Sequence, residues 1–277
     1  MLSTLIKIGP ITVHSYGLLI GIGFLVAIYM MRRDARMRGI NPDLVTDLAF
    51  WALFLGVIGT RILHIVMFPG EYSWSDPVGW IAIWRGGLVF QGALPPVILL
   101  TIFFCRKHRL PLWRMADIIC PYIPLGHAFG RVGCFMHGCC FGKPADVPWA
   151  VSFPAGSPAY ELHQQLGLLE AAAIRSLAVH PTQLYSAIAL IAMSFFIKYL
   201  RDAWRPVDGS TFPFYLVLYG TFRFFVEFLR GDYNPQHFGV LSDQQVFCLL
   251  GIVAGGVVYI FLVRQSKRRA RARGVLS

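Results

Sequence analysis

The chain is 277 residues long, 56% hydrophobic and only 14% charged, whereas soluble domains carry about 25% charged residues. That composition excludes an ordinary cytosolic globule. The formal charge of +11, from 25 Lys and Arg against 14 Asp and Glu, suits nucleic acid or an anionic membrane surface. Recurring apolar stretches of about 20 residues, enough to cross about 30 Å of hydrocarbon, decide for the membrane.

Hydropathy predicts seven spans in an all-α polytopic membrane protein, near residues 11–30, 44–68, 88–105, 115–130, 183–200, 211–229 and 246–263. The first run is long and ends in Arg32-Arg33 without a small-residue cleavage site, so it is expected to stay in place. The fourth is short and carries Pro121 and Pro124. Of the 25 cations, 17 gather in every second connection: after the first span (Arg32, Arg33, Arg36, Arg38), the third (from Arg106), the fifth (from Lys198) and the seventh (from Arg264). Cations accumulate on the cytoplasmic side, which puts the N-terminus outside and the C-terminus inside. The basic tail, 264–277, then reads as a solvated face against anionic lipid; nucleic acid is not expected as a partner. Residues 131–182, rich in Gly, Pro, Cys and His and with a polar helical pattern from Tyr160 to Ser176, are expected to form a small extracytoplasmic cap on a single membrane domain. There is no internal repeat to support an inverted-repeat transporter.

Two arginines, Arg61 and Arg223, fall inside apolar spans, where each costs about 2.5–3.5 kcal/mol on insertion scales and so tends to mark a polar interior site. Tyr219, Arg223, Glu227 and Arg230 recur at helical spacing, so one face carries all four. Glu227 can neutralise one of its two arginines; the remaining positive charge invites an anion, with a purely structural Arg–Glu–Arg network as the alternative. On the derived orientation Arg223 lies about 18 Å along its outward-running span. Arg131 ends the fourth segment, Arg61 and His64 occupy the outer half of the second, and His14, Tyr16 and Gln91 begin inward-running spans. All are expected at the depth of outer-leaflet headgroups, where guanidinium forks suit a phosphate. Gly86-Gly87, Gly92, Pro95-Pro96, Gly126, Gly130 and Gly133 allow broken helices or close packing there.

At these residues the chain resembles the bacterial prolipoprotein diacylglyceryl transferases. The signature-like stretch runs from Gly130-Arg131-Val132-Gly133-Cys134-Phe135 through Gly138-Cys139-Cys140-Phe141-Gly142-Lys143-Pro144 to Val151-Ser152-Phe153-Pro154, a Cys-Cys variant. Supporting matches are His14-Ser15-Tyr16-Gly17, Asp117, His180-Pro181-Thr182-Gln183-Leu184-Tyr185, and Tyr219 to Phe224 with Glu227 and Arg230. The resemblance implies a seven-helix bundle with an extracytoplasmic head in the bacterial inner membrane. It implies transfer of diacylglyceryl from phosphatidylglycerol to the lipobox cysteine of a preprolipoprotein, releasing glycerol 1-phosphate, without a cofactor. Arg131 would hold the lipid phosphate, Arg223 would stabilise the leaving phosphate, Glu227 and Arg230 would position it, and Tyr16 would bond the headgroup. Arg61, His14, His180 and Gly133 complete the expected substrate-binding set, and Gln91 joins Arg131, Arg223 and Glu227 as a site residue.

The chain departs from the family at three places: Gln91 where a His is common, Cys134 where an Asn is, and Ser186 where a Glu is. Gln91 is no general base at neutral pH. His14, His64 or His137 takes that role, or the arginine field suffices, or the chain is a paralogue with altered lipid transfer. Cys134, His137, Cys139 and Cys140 fall within seven residues, yet C-x2-H-x-C-C is no regular zinc pattern; no metal is expected, and a disulfide or buried thiols are the other readings. His127, His163 and His237 read as structural. A lipid or anion transporter is the rival from another class, and it needs polar groups through the inner half, where Asp117 is the one obvious candidate.

Overall fold

The computed structural model describes residues 4–8, 11–73, 75–83, 86–170, 172–204, 207–232 and 239–272, with side chains from residue 15 onward except at 270 and 272. His237 and the side chain of His14 lie outside the described residues. A short antiparallel ribbon, β1 (Thr4–Ile8) and β2 (Ile11–His14), precedes a chain built of helices. Four of these are long and apolar enough to cross a membrane: α1 (Ser15–Met37), α2 (Pro42–Met67), α8 (Thr182–Trp204) and α10 (Asp243–Ala272, apolar over Asp243–Arg269).

The third, fourth and sixth expected spans are made of shorter helices. α3 (Pro77–Ile81) is a single turn in the loop after α2. Pro95-Pro96 can occupy only a first turn, so α4 starts at Leu94 and runs to Lys107, behind a 3-10 turn at Phe90–Ala93. The expected span at 115–130 is two helices, α5 (Leu112–Ile119) and α6 (Ile123–His137). Pro121 lacks the N–H that would continue α5, and Pro124 sits in the first turn of α6. α6 also runs past the start expected for the cap: Arg131 lies inside the helix, which ends at Gly138 with a left-handed φ of 82°. In the segment expected to form the cap, α7 (Pro158–Gln165) is N-capped by Ser157. It stops before Gly167, whose φ is +67°, so the helical pattern expected through Ser176 is cut short. α9 covers Thr211–Glu227.

The chain divides into two compact units, residues 1–29 with 116–277, and residues 30–115. In the first, α6 packs on α8, α8 on α9 and α9 on α10. α8 buries Leu190, Met193, Ser194 and Ile197 while Ile188, Phe195 and Tyr199 are exposed, the split expected of a helix with one face on protein and one on lipid. α10 exposes Leu250, Val253, Val257 and Phe261 in the same way. The cap has its own apolar centre of Phe141, Phe153, Ala159 and Val179, with Phe135 and Leu162 packed against it. The basic tail continues α10 through Ala272 with Arg264, Lys267, Arg268, Arg269 and Arg271 exposed. In the second unit α2 packs on α4 and on the 3-10 turn that carries Gln91.

Candidate functional site

The first unit assembles three arginines. Arg223 is buried on α9 and forms an ion pair with Glu227 one turn later; the Ser242 hydroxyl donates to Glu227 Oε1 at 3.4 Å. Arg230 is not on the same helical face, because α9 ends at Glu227 and the backbone tightens into i+3 bonds at Phe228, Leu229 and Arg230. Arg230 instead pairs with Asp232, with Nε to Oδ1 at 2.7 Å. Burial works against the Arg230 charge, but the Asp232 carboxylate outweighs it and holds the guanidinium above the ordinary arginine range.

Arg131, on α6, donates from Nε to His127 Nε2 at 3.1 Å, one turn back. His127 in turn faces the ring of Tyr219 at 5.7 Å, and Tyr219 stacks on Tyr215 at 5.6 Å. No described carboxylate forms an ion pair with Arg131. The charges of Arg131 and Arg230 both act on Arg223, so three guanidiniums share one field with two carboxylates, Glu227 and Asp232. The net positive charge expected of that helical face is corrected here: Glu227 pairs with Arg223 and Asp232 with Arg230, so the surplus positive charge of the cluster comes from Arg131.

The signature loop is fastened to this cluster by backbone. Gly142 N donates to His180 O at 3.0 Å, Lys143 N to Leu229 O at 2.7 Å, and Gly231 N to Phe141 O at 3.1 Å, so Gly142 bridges to Arg230. A Cβ at Gly142 would meet His180 Cβ at 2.6 Å and Leu229 O at 2.9 Å, a close approach that requires glycine. Two side chains at the start of α8 hold the turn before it: Gln183 Nε2 donates to Cys139 O and Thr182 Oγ1 to Cys140 O, both at 2.8 Å. Cys140 is thereby kept at φ 58°, rare for a residue with a side chain. The sulfurs of Cys134, Cys139 and Cys140 lie within 4.8 Å of one another as free thiols. Thiol hydrogen bonds from Cys134 and Cys139 hold Cys140 below the ordinary thiol range despite its burial, and Arg230 and Arg131 add to the pull.

Of the other expected residues, Tyr16 starts α1 partly exposed, with its ring against Gly133 and 6.5 Å from the ring of His137. A Cβ at Gly133 would meet Tyr16 Cδ2 at 3.0 Å. His180 faces Tyr185, Nδ1 to the hydroxyl at 3.3 Å. His163, read as structural, is buried in the cap, where Nδ1 accepts from Leu177 N–H at 3.3 Å; burial lowers its pKa. Asp117 accepts from Gly209 N–H at 2.6 Å, Thr211 N–H at 3.2 Å and the Thr211 hydroxyl at 2.8 Å, which makes it a remote cap for the start of α9.

In the second unit, Arg61 is spread over backbone. Its Nε donates to Trp80 O at 3.1 Å, Nη1 to Gly86 O at 2.7 Å and Gly87 O at 2.9 Å, and Nη2 to Gly79 O. Its guanidinium also lies 5.0 Å from the Tyr72 ring centroid. The expectation that Arg61 reaches a phosphate is corrected here: four carbonyls already occupy its three nitrogens. His64 contacts the Tyr72 hydroxyl at 2.7 Å and lies 3.8 Å from Glu71. Gln91 sits half-buried in the 3-10 turn.

Sequence reasoning missed Asp232, His127 as the partner of Arg131, and Ser242. Asp232 follows Arg230 by two residues, a signal available in the sequence; the other two pairings depend on helix packing. A family model described as prolipoprotein diacylglyceryl transferase matches residues 3–261. Among curated relatives, the phosphatidylglycerol–prolipoprotein diacylglyceryl transferase of Vibrio cholerae is 35% identical over 93% of this chain and 90% of its own. Those of Synechococcus elongatus and Nostoc sp. are 33% and 32% identical, over 95% and 93% of this chain and 89% of theirs. The chain belongs to the prolipoprotein diacylglyceryl transferase family.

Proposed function

We propose that this protein transfers the diacylglyceryl group of phosphatidylglycerol to the lipobox cysteine thiol of a preprolipoprotein, forming a thioether and releasing glycerol 1-phosphate. The observation that carries the reading is the cluster of Arg131, Arg223 and Arg230 against two carboxylates in a member of this family. Arg131, bonded only to a histidine among the described residues, holds the lipid phosphate. Displacement at the glyceryl carbon develops negative charge on the leaving phosphate, and Arg223, fixed by Glu227, stabilises it. Arg230, oriented by Asp232, completes the cradle, and Tyr16 bonds the headgroup. His180 and Gly133 hold the walls of the site through the signature loop and the Tyr16 ring. Gln91, on the 3-10 turn of the second unit, supplies no base at neutral pH. The attacking thiol, with a pKa near about 8.5, gains thiolate character from the positive field.

The protein on this reading is multi-pass in the bacterial inner membrane, with seven spans, the N-terminus outside, the C-terminus cytoplasmic and residues 138–182 as the extracytoplasmic cap. The alternation of cationic connections supports that topology. The test is lipidation of a lipobox peptide by the purified protein in micelles containing phosphatidylglycerol. A mobility shift is expected with the wild type and lost with Arg131→Ala or Arg223→Ala; absence of any shift with folded wild type would overturn the proposal.

A further inference from the structure

The cysteine triad in the signature loop has no part in the chemistry described so far, and its geometry is unlike that of incidental buried thiols. Cys134 lies in the last turn of α6, Gly138 stops the helix, and Cys139 and Cys140 return their sulfurs to within 4.8 Å of that of Cys134 and of each other. The return is enforced. The Cys139 and Cys140 carbonyls are locked by Gln183 and Thr182, and Cys140 holds a left-handed backbone that a non-glycine residue adopts only when its surroundings over-determine it. Zinc–sulfur bonds of about 2.3 Å in a tetrahedral site bring sulfurs to about 3.8 Å apart, a closure of about 1 Å at most from the separations present.

We propose that Cys134, Cys139 and Cys140 bind one Zn2+ through three thiolates, and that the open fourth position takes the thiol of the acceptor peptide. A single disulfide among three converging sulfurs would leave one over, whereas a metal uses all three. Among the described residues no fourth Cys, His, Asp or Glu joins the group. Three protein ligands with a vacant fourth position is the arrangement of zinc that does chemistry, while structural zinc is closed by four. Cys139 and Cys140 are only half-buried, so a fourth ligand has access. Zn2+ with three thiolates carries one negative charge, and a fourth thiolate makes it two; Arg131 stands one turn before Cys134 on α6 and Arg230 bridges to Gly142, two residues after Cys140, so cationic residues flank the loop that would carry that charge.

The inference rests on the transferase reading for its acceptor. A thiol that coordinates zinc gives up its proton, here to water. The zinc-bound sulfur then donates a lone pair to the glyceryl carbon of phosphatidylglycerol. The carbon–oxygen bond to phosphate breaks, its electrons stay on the phosphate oxygen, and glycerol 1-phosphate departs as the dianion. The thioether product is a neutral, weak ligand and dissociates, leaving the three-thiolate zinc unchanged. No oxidant or reductant is involved.

The test uses the full chain in detergent, with zinc and cobalt ions as probes. Protein purified without chelator is expected to hold one equivalent of zinc. After exchange for Co2+ it should show intense sulfur-to-cobalt charge-transfer absorption, and a lipobox peptide should shift that spectrum while its Cys→Ser counterpart does not. Cys139→Ser and Cys140→Ser should each lower zinc affinity by at least the about 10–100-fold that loss of an outer-shell partner costs, with Cys105→Ala as the unaffected control and helix content checked by circular dichroism. Fully reduced protein that binds neither ion through sulfur would overturn the proposal, as would full lipidation by a folded Cys134→Ser/Cys139→Ser/Cys140→Ser variant. Zinc held by the three thiols in a protein that lipidates no peptide would support the cation site and overturn the transferase reading.

Discussion

Arg61 and Arg223 are almost equally buried, at 8% and 7% exposure, yet their surroundings differ in kind. Arg61 is enclosed by carbonyls of the 79–87 loop and the Tyr72 ring. These neutral dipoles take four of its five N–H donors, and the arginine pins the loop to α2. Arg223 has one carboxylate on its own helix and two other cations in range, so the cluster remains short of negative charge. Burial of an arginine therefore does not identify an anion site. What separates the two is whether neutral acceptors or fixed charges satisfy the guanidinium, since only the second leaves a field that an incoming phosphate can complete.

The comparison can be broken at several points. The largest effect is expected from Arg131→Ala and Arg223→Ala, which should lower the lipidation rate by about 10²–10³, as for loss of one preorganised donor to a developing oxyanion. Arg131→Lys should recover little of this if the contact is a two-pronged one. Next comes Glu227→Ala, which strands the buried Arg223 charge and should cost about 3–5 kcal/mol, read as a lower unfolding temperature in detergent. Arg61→Ala leaves loop carbonyls without their donor and should cost about 1–3 kcal/mol; a large fall in activity per folded molecule without loss of stability would place Arg61 in the site after all. Asp117→Ala strands the N–H groups of Gly209 and Thr211 and should cost a similar amount, about 1–3 kcal/mol.

The smallest effect concerns pH. Burial of His163 lowers its pKa in the folded cap, so the unfolded chain binds the proton more readily. The contribution to stability is complete above about pH 6.5 and is lost as pH falls below it. His163→Gln should flatten this acid limb in the cap's hydrogen exchange, and an unchanged limb would show that another group titrates.

Much of the arginine cluster was legible in the sequence, because Arg223 and Glu227 stand one helical turn apart and a helix places such residues together. Arg230 continued that spacing on paper, but the helix had already ended, and the bridge to Gly142 carries it to Asp232. Arg61 was misread because its partners are main-chain carbonyls 18–26 residues ahead, and every residue type offers a carbonyl. Asp117 was read as the inner-half polar group a transporter needs; its acceptors are consumed by capping α9 some 92–94 residues later. Apolar stretches coincide with the four helices long and apolar enough to cross a membrane, but the helices at the third and fourth expected spans are bounded by prolines at positions 95, 96, 121 and 124, which hydropathy does not weigh.

The irregular segment at 141–151 has a consequence for how the chain tolerates interruption. Its backbone bonds run to Ala178, Val179 and His180 on one side and to Leu229 and Gly231 on the other, so both edges are closed by hydrogen bonds between segments distant in sequence. Between α7 and Ala178 the exposed stretch at Leu166 and Leu168 takes no part in those bonds. A break in the chain there is expected to leave the arginines held, read as lipidation retained after limited proteolysis. That point is where an insertion can accumulate, or a protease can cut, without parting the two halves of the site.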